Sequence, residues 1–393
     1  MNILVVTQSA SIIGGANRSL LDVIKILQDK YKHRCYVLAP AEGEFTDAVR
    51  KLGCYCIVSS YEQTSFVEIF DWKFFFRWMY FLKSIIYNRV RISAALDKIK
   101  DIDVDIDVVY INDTTNTFGF NIAQRLKIPF VWHFRGYQKV IKRYLFKENA
   151  LRDTRNGLVI NISNAMQKHM IDVRKLPKEI MCVIYNGVVN HSVGLNRNTR
   201  RLNSCDDLHC IHCGHISKAK GMEDSVSAIS ILHKRGINNI YLHIVGSPSM
   251  ENGEKYDEFL RRKLILPNNI KENVLFEGEV KNVALLRSFM DVELMCSVAE
   301  PFGRTTVEGL QAGLVVIGAN TGATPEIIKD NINGLLYEQG NPTDLANKIE
   351  SIYYDVQLQK KLSQNALEFS KNNFTMENNV KQINDILMKV IQM

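Results

Sequence analysis

Two glutamates, Glu300 and Glu308, mark the segment of this 393-residue sequence that is best suited to chemistry. The proline after Glu300 keeps that residue out of helical geometry, so its carboxylate is expected in a loop behind a buried strand over 292–298. Gly303 lets a ligand approach the backbone, and a helix is predicted to begin near Arg304. The unpaired amides of its first turn would form an anion site suited to a diphosphate, and Glu308 would still face the same crevice.

The whole string from Glu300 to Gly313 carries more information than the two glutamates alone. A strand, Glu-Pro-Phe-Gly, a helix start, the second Glu and the small-residue segment Gly-Leu-Gln-Ala-Gly rarely coincide by chance. This string resembles that of the retaining glycosyltransferases of family 4 (glycosyltransferases group 1), which carry a Glu-x7-Glu motif here. The resemblance implies the α/β GT-B fold, with two facing Rossmann-like doubly wound parallel-sheet domains and a C-terminal helix that crosses back to the first.

The predicted domain organisation follows from alternating strand and helix patterns, which indicate parallel sheets. An N-terminal, acceptor-side Rossmann-like domain is predicted over 1–188, and a polar stretch without apolar periodicity, 189–207, is predicted to be the linker. The nucleotide-sugar-binding domain is predicted over 208–372. A final helix over 373–393 is expected to pack on the N-terminal domain.

The resemblance also implies roles for individual residues. Glu300 would contact the hydroxyls of the donor sugar, Glu308 would hold the ribose, and Lys220 would neutralise the diphosphate. The implied catalytic residues are Glu300, His133 and Lys220. The implied donor-binding residues are Gly14, Gly15, His215, Lys220, Val280, Phe302, Gly303, Arg304, Thr305, Thr306 and Glu308.

The loop 214–221 departs from the family pattern at one position. The family usually shows Gly-Arg, four residues and then Lys-Gly, and Lys220 matches that pattern. His215 stands where arginine is usual, and an imidazole is at most partly charged near neutral pH and cannot make a bidentate contact with a phosphate. Arg304 could compensate, which is a hypothesis from its proximity to the same anion site.

Two further candidates lie in the first domain. Gly14 and Gly15, between the first strand and the first helix, would let a phosphate approach backbone amides, although a tight turn is an equally good interpretation. The segment matches neither the dinucleotide fingerprint nor the P-loop. His133 is placed in a loop beyond a strand over 129–132. The resemblance gives it a hydrogen bond to the donor sugar, and a structural role is the alternative.

Two possible metal sites are interpreted as structural features, and no metal is expected. The Asp-x-Asp pattern over 101–107 precedes the strand 108–111, whereas a nucleotide-bound metal needs carboxylates at a strand's exit. The segment 208–215 carries three His and two Cys. If it is a strand, residues three apart point to opposite faces, so buried strand cysteines are favoured over zinc.

Composition limits the partners. The sequence is 46% hydrophobic and 23% charged, with a net charge of +7 and no long basic run, so an anionic ligand or membrane surface is favoured over nucleic acid. Eight irregularly spaced cysteines are typical of a reduced, cytoplasmic protein. The segment 1–7 has no basic region before its apolar residues and is expected to be a buried strand, not a signal peptide.

The stretch 66–91 is rich in aromatic residues with cations among and just beyond them. It has no uncharged run long enough to span a bilayer. An amphipathic, aromatic and basic segment suits peripheral contact with the inner face of a membrane, whereas packing under the sheet is the alternative.

The sequence therefore predicts an enzyme, a retaining glycosyltransferase of the hexosyltransferase type. It would move a sugar from a nucleotide-diphosphate-sugar, with UDP favoured over GDP, to a saccharide or lipid-linked saccharide in the assembly of a surface polysaccharide or glycan. No cofactor is expected besides this co-substrate. The alternatives are a nucleotide-sugar epimerase of the same fold and a non-catalytic nucleotide-sugar-binding protein.

Overall fold

The chain divides into two compact units. In the computed structural model one unit comprises Met1–Gly187 with Met376–Met393, and the other comprises Val188–Thr375. The structure describes residues 1–12, 15–62, 74–137, 156–173, 176–192 and 206–393, and the side chains at 74–78, 80, 81, 84 and 85 are also outside the description. Most of the predicted linker therefore lies outside the described residues, and the acceptor and donor assignments of the two units stay predictions.

The first unit is built on a parallel sheet with strand order β3-β2-β1-β4-β5-β6-β7. The order reverses at β1, since the chain first runs outward to β3 and then continues from β4 on the other side. Such a reversal opens a crevice beyond the carboxyl ends of the strands. The strands are β1 Asn2–Val6, β2 Arg34–Ala39, β3 Tyr55–Val58, β4 Val108–Asn112, β5 Phe130–Phe134, β6 Gly157–Asn161 and β7 Met181–Val183.

The helices of this unit include the last helix of the chain. They are α1 Gly15–Asp29, α2 Glu44–Lys51, α3 Phe74–Lys100, α4 Thr117–Leu126, α5 Asn164–Asp172 and α13 Met376–Ile391, with a 3-10 turn at Lys178–Ile180. Helix α13 packs against α1 and against β4, β5 and β6. Its buried side chains recur at intervals of three and four residues, the spacing of one helical face: Met376, Val380, Ile383, Leu387 and Val390.

The approach of α13 to the first unit requires a glycine. A Cβ added at Gly187 would lie 2.7 Å from the Cα of Met376. Nearby, the Asn379 side-chain amide donates to the carbonyl of Tyr185 at 2.7 Å. These contacts attach the last helix where the chain leaves the unit.

The second unit contains a parallel sheet with strand order β12-β9-β8-β13-β14-β15 and a separate antiparallel pair, β10 and β11. The strands are β8 Leu208–Cys213, β9 Ile240–Val245, β10 Met250–Glu251, β11 Glu254–Lys255, β12 Val274–Gly278, β13 Val292–Met295, β14 Val315–Ala319 and β15 Leu335–Tyr337. The helices are α6 Met222–Lys234, α7 Tyr256–Leu260, α8 Val283–Arg287, α9 Arg304–Gln311, α10 Thr324–Ile327, α11 Pro342–Tyr354 and α12 Val356–Asn372, with a 3-10 turn at Lys218–Lys220 and a π-helical turn at Arg261–Ile265.

Helices cover both faces of the central strands, which explains why these strands are apolar over their whole length. Every residue of β4 and of β14 is buried. Parallel sheets between helical layers show this continuous pattern instead of strict alternation. None of the helices that the structure describes is both long and apolar enough to cross a membrane.

Candidate active site

The Glu300 loop lies at the carboxyl end of β13 in the second unit. The strand ends at Met295, three residues before the predicted end, and α9 begins at Arg304 as predicted. The residue between loop and helix, Gly303, has φ 99°. A Cβ there would lie 2.9 Å from Thr306 Oγ1, so both backbone and packing favour glycine. The chain can therefore turn sharply from the loop into the first turn of α9.

Glu300 and Lys220 are in contact although 80 residues separate them. The Lys220 ammonium donates to Glu300 Oε2 at 2.7 Å, with the side chains 31% and 13% exposed respectively. The Lys220 side chain also passes Gly214, at the exit of β8. A cation and a carboxylate thus meet beside the amino end of a helix, a combination that can hold an anion and hydroxyl groups together.

Backbone contacts fix the loops that carry this pair. The amide of Val298 donates to the carbonyl of Ala219 at 3.0 Å, and the amide of Ala323 donates to the carbonyl of Glu300 at 2.9 Å. A Cβ added at Gly221, where φ is +67°, would lie 1.9 Å from the carbonyl oxygen of Cys296. Only glycine fits such an approach, so this position sets how close the Lys220 loop comes to the Glu300 loop.

The first turn of α9 lies where the anion site is predicted. By geometry its leading amides have no acceptor within the helix. Phe302 is buried and stacks edge-to-face on Phe374, with 5.6 Å between ring centroids, so only its backbone can meet a ligand. Thr306 is fully buried, and its Oγ1 has no hydrogen-bond partner among the described residues. Arg304 and Thr305 are half-buried.

Glu308 belongs to a buried ionic cluster that the sequence reasoning missed. Arg287, at the end of α8, donates through Nη1 to Glu308 Oε2 at 2.9 Å and through Nε to Glu293 Oε2 at 2.7 Å. Glu293 lies within β13 and is fully buried. A charge inside an apolar strand needs a partner, and this was the signal in the sequence that could have revealed the cluster.

Two predicted donor-binding residues are not brought to the Glu300–Lys220 pair by any described contact. His215 follows β8 and is exposed. Val280 follows β12 and packs against a small apolar cluster that includes Ile211 and Met290. Their roles stay predictions.

The other predicted donor-binding residues lie in the first unit. Gly14 lies outside the described residues, and Gly15 is the exposed first residue of α1. The loop before α1 is held by Asn17, which accepts from Thr7 Oγ1 at 2.9 Å and donates to the carbonyl of Ser11 at 2.8 Å.

The prediction that His133 lies in a loop is wrong. Strand β5 continues to Phe134 because that apolar residue extends the buried pattern, and His133 pairs with Asn112 in β4. Its ring is fully buried, its Nδ1 lies 2.5 Å from the Tyr110 hydroxyl, and its Nε2 has no partner among the described residues. Burial, with the positive charge of Arg135 nearby, holds the pKa of His133 well below its usual value, so the ring is neutral. Its predicted contact with the donor sugar would require this buried ring to become accessible.

A polar network beyond β4 and β5 was also missed. The Arg135 guanidinium donates to Asn112 Oδ1 at 2.6 Å and to Asn186 Oδ1 at 2.9 Å. It ties the exit of two strands to the Asn-Gly turn after β7. Asn112 and Asn186 each follow a predicted strand in the sequence, but nothing in the sequence shows that Arg135 joins them, so only the three-dimensional arrangement reveals the network.

Three of the residues considered as metal ligands, Asp107, His209 and His212, have structural contacts. Asp107 Oδ2 accepts from the amide of Asn2 at 2.7 Å and so fixes the start of β1. In β8, His209 pairs with His243 at 3.0 Å, whereas His212 pairs with Ser225 at 3.1 Å on the opposite face of the sheet. Within the described residues no group of three or more His, Cys, Asp or Glu is arranged to hold a metal ion.

The chain has two units, each built on a parallel sheet between helices, and the second unit carries the Lys220–Glu300 ion pair beside the start of a helix. These features are typical of transferases with the GT-B fold. Two family models match the sequence: "Glycosyltransferase Family 4" over residues 13–190 and "Glycosyl transferases group 1" over residues 201–369. Together they cover most of the chain. It belongs to this family of glycosyltransferases and is an enzyme that transfers a glycosyl group.

Individual proteins are similar to this chain in sequence or in fold. An uncharacterized glycosyltransferase of Methanocaldococcus jannaschii is 24% identical over 306 residues, 73% of this chain and 76% of that protein. A glycosyltransferase from Rickettsia africae has a similar structure, with a TM-score of 0.78, 21% identity and coverage of 99% of this chain and 98% of the other. Anabaena HepE in complex with UDP and glucose has a TM-score of 0.72 and 22% identity, with 98% of this chain and 99% of HepE covered.

Proposed function

We propose that this glycosyltransferase takes its sugar from a nucleotide-diphosphate-sugar, with a UDP-sugar favoured, and transfers it with retention to a saccharide or lipid-linked saccharide. The observation that carries the proposal is the Lys220–Glu300 contact beside the first turn of α9, with Glu308 one turn further along. The UDP complex of the structurally similar HepE supports the choice of base.

The proposed chemistry depends on charge placed where the leaving group departs. An ammonium group has three N–H donors, and Lys220 uses one of them on Glu300, so it can hold a phosphate at the same time. The helix amides add further donors, and together these groups stabilise the negative charge that develops on the departing diphosphate. Because Glu300 contacts Lys220, a donor whose phosphate binds Lys220 would place its sugar beside the Glu300 carboxylate.

Retention is proposed to follow from attack on the face that the leaving group occupies. The bond from the anomeric carbon to the phosphate oxygen breaks while the bond to the acceptor oxygen forms on the same side. The acceptor's proton passes to the departing phosphate oxygen, so no separate base is required. This agrees with a neutral, buried His133, which has no accessible nitrogen for that role in this structure.

The donor test is a thermal-shift screen of UDP-, GDP- and ADP-sugars, followed by acceptor trials with the donor that binds best. NMR of the product would report the anomeric configuration. We expect one nucleotide series to stabilise the protein and Glu300→Gln to abolish transfer while leaving diphosphate binding measurable. If no nucleotide-sugar binds, the proposed donor is wrong, and free epimerised sugar in donor-only incubations would favour an epimerase.

We also propose that α3 provides the peripheral membrane contact. Met79, Ile86 and Val90 lie along one side of this helix and are 50%, 62% and 70% exposed, and Lys83 and Arg91 lie beside them. A second stripe along α3 is buried against the rest of the first unit and consists of Asn88, Ile92, Ala95 and Ile99. A helix with an exposed apolar face and flanking cations suits an anionic lipid surface.

Liposome flotation tests this contact. The double variant Ile86→Ser/Val90→Ser should lose binding to vesicles that contain anionic lipid, and transfer to a water-soluble acceptor should be unchanged. Ile332→Ser provides the matched control, because Ile332 is 61% exposed but lies in the second unit. Equal flotation of the double variant and the control would remove the basis for membrane contact. The Phe74, Phe75 and Trp78 side chains of the predicted stretch lie outside the described residues.

A further inference from the structure

Arg287 is almost completely enclosed, with 3% of its surface exposed, although it carries a permanent charge. Its Nε and Nη2 donate to the two oxygens of Glu293 at 2.7 and 3.2 Å, so the pair is bidentate. This fixes the plane of the guanidinium group. The remaining nitrogen, Nη1, then points at Glu308.

The cluster joins one guanidinium group, Arg287, to two carboxyl groups, Glu293 and Glu308. Burial favours neutral Glu293 and raises its pKa although Arg287 acts to lower it. Burial likewise acts to lower the pKa of Arg287, but the two glutamates raise it further, so the guanidinium keeps its proton. Arg287 therefore stays charged between two carboxyl groups, and of these only Glu308 reaches solvent.

Glu308 is the exposed end of the cluster. Its side chain is 25% exposed, against 4% for Arg287 and none for Glu293. Arg287 occupies Oε2, and Oε1 has no hydrogen-bond partner among the described residues. A carboxylate held by one oxygen presents the other in a fixed direction.

We infer that Arg287 is a positioning residue that aims the Glu308 carboxylate at the ribose hydroxyls of the bound nucleotide. Glu293 in turn fixes the plane of the Arg287 guanidinium, so that Arg287 holds Glu308 Oε2 and leaves Oε1 to accept a hydrogen bond from the ligand. The inference rests on the proposed nucleotide-sugar donor, and it assigns recognition of the donor's ribose to Arg287, Glu293 and Glu308. A cluster that only joined α8, β13 and α9 would have no effect on which nucleotide binds.

Calorimetry with two probes separates these roles. UDP and 2′,3′-dideoxy-UDP differ only in the ribose hydroxyls. We expect the wild type to bind UDP at least about tenfold more tightly than dideoxy-UDP, because loss of one hydrogen bond to a charged group weakens binding by at least about that factor. In Arg287→Met the preference should fall to about twofold or less while the affinity for dideoxy-UDP stays within about threefold of wild type. Glu308→Gln should weaken the same preference.

Arg287→Met leaves Glu293 buried without a partner and could unfold the protein. The double variant Arg287→Met/Glu293→Leu removes both charges, and replacing such a pair by apolar residues is often neutral for stability. It should fold and show the same loss of preference. Arg287→Lys keeps the charge but has one nitrogen for two carboxylates, so it should restore only part of the preference.

The outcomes divide clearly. An unchanged preference for UDP in the double variant would overturn the positioning role while leaving the nucleotide donor in place. An equal loss of affinity for both probes would assign the cluster a structural role and would also overturn it. If wild-type protein binds neither UDP nor any nucleotide-sugar in the donor screen, the proposed function itself fails.

Discussion

Replacing Lys220 by methionine should separate catalysis from folding. Methionine keeps the length of the side chain and its packing along Gly214 but removes the ammonium group that contacts Glu300. We expect a large loss of turnover and a small loss of stability. Lys218→Met is the matched control, because Lys218 lies two residues earlier in the same turn and is exposed.

The magnitude follows from where the pair sits. Glu300 is 13% exposed and Lys220 is 31% exposed, so solvent screens part of the interaction. The charge that matters for turnover is the one that develops on the departing phosphate beside the Lys220 ammonium. At the effective dielectric constant of about 20 that applies near a protein surface, two unit charges about 4 Å apart attract each other by about 4 kcal/mol. Removing one donor to a developing negative charge lowers kcat by about 10² to 10³. A partly exposed ion pair contributes only about 1 kcal/mol or less to folding.

The assay measures nucleotide diphosphate release with the donor identified by screening, at saturating and limiting donor. Lys220→Met should lose at least a hundredfold in kcat, and KM should rise because Glu300 then faces the phosphates without a neutralising partner. Urea unfolding should place its stability within about 1 kcal/mol of wild type. If Lys220→Met retained a tenth of the wild-type turnover, or if Lys218→Met lost as much, the electrostatic reasoning would be refuted.

Three further predictions concern stability. In urea unfolding, Gly221→Ala should reduce the free energy of unfolding by several kcal/mol, because its Cβ would overlap a backbone carbonyl. Gly236 also has a positive φ but faces open space, so the control Gly236→Ala should reduce it by about 1 kcal/mol. Similar losses in the two variants would contradict the close approach of the loops at Gly221. Burial lowers the pKa of His212 to about 3, so the unfolded state binds the proton first, and the free energy of unfolding falls as pH drops below about 6.5, by about 1.4 kcal/mol per pH unit for this residue. Buried His133 adds a loss of the same sign, so His212→Gln should make the slope of the urea-derived free energy between pH 7 and 5 shallower by about that amount without removing it, and an unchanged slope would exclude this cause. Gly187→Ala should loosen the helix that starts at Met376, which faster hydrogen exchange in that helix would reveal and unchanged exchange would disprove.

Local patterns in the sequence determined much of the fold. The helix beginning at Arg304 and the buried strand before it were predictable, because proline, glycine and apolar runs act over a few residues. The end of β5 was not, since Phe134 continues the apolar pattern and moves His133 from the expected loop into the sheet. A terminal residue of a strand depends on the pairing of its neighbours as well as on its own type.

The site was predictable where a motif exists and not where long-range packing creates it. The roles of Glu300 and Lys220 came from a family resemblance, but their 2.7 Å contact depends on loops from two different strands. Arg287 and Glu293 belong to no motif, and their importance is visible only once both are buried beside Glu308. Charged residues in apolar segments therefore merit attention even when no motif includes them.

The membership of α13 in the first unit has a consequence for biosynthesis. A ribosome makes residues 1–187 first, then the whole of the second unit, and only afterwards the helix that begins at Met376. At about 5–20 residues per second, the nascent first unit waits about ten seconds or more with the surface for that helix uncovered. Chaperones that shield apolar surfaces should therefore engage this chain during translation, and shortening it at the carboxyl end would harm the amino-terminal half before the half that carries Glu300.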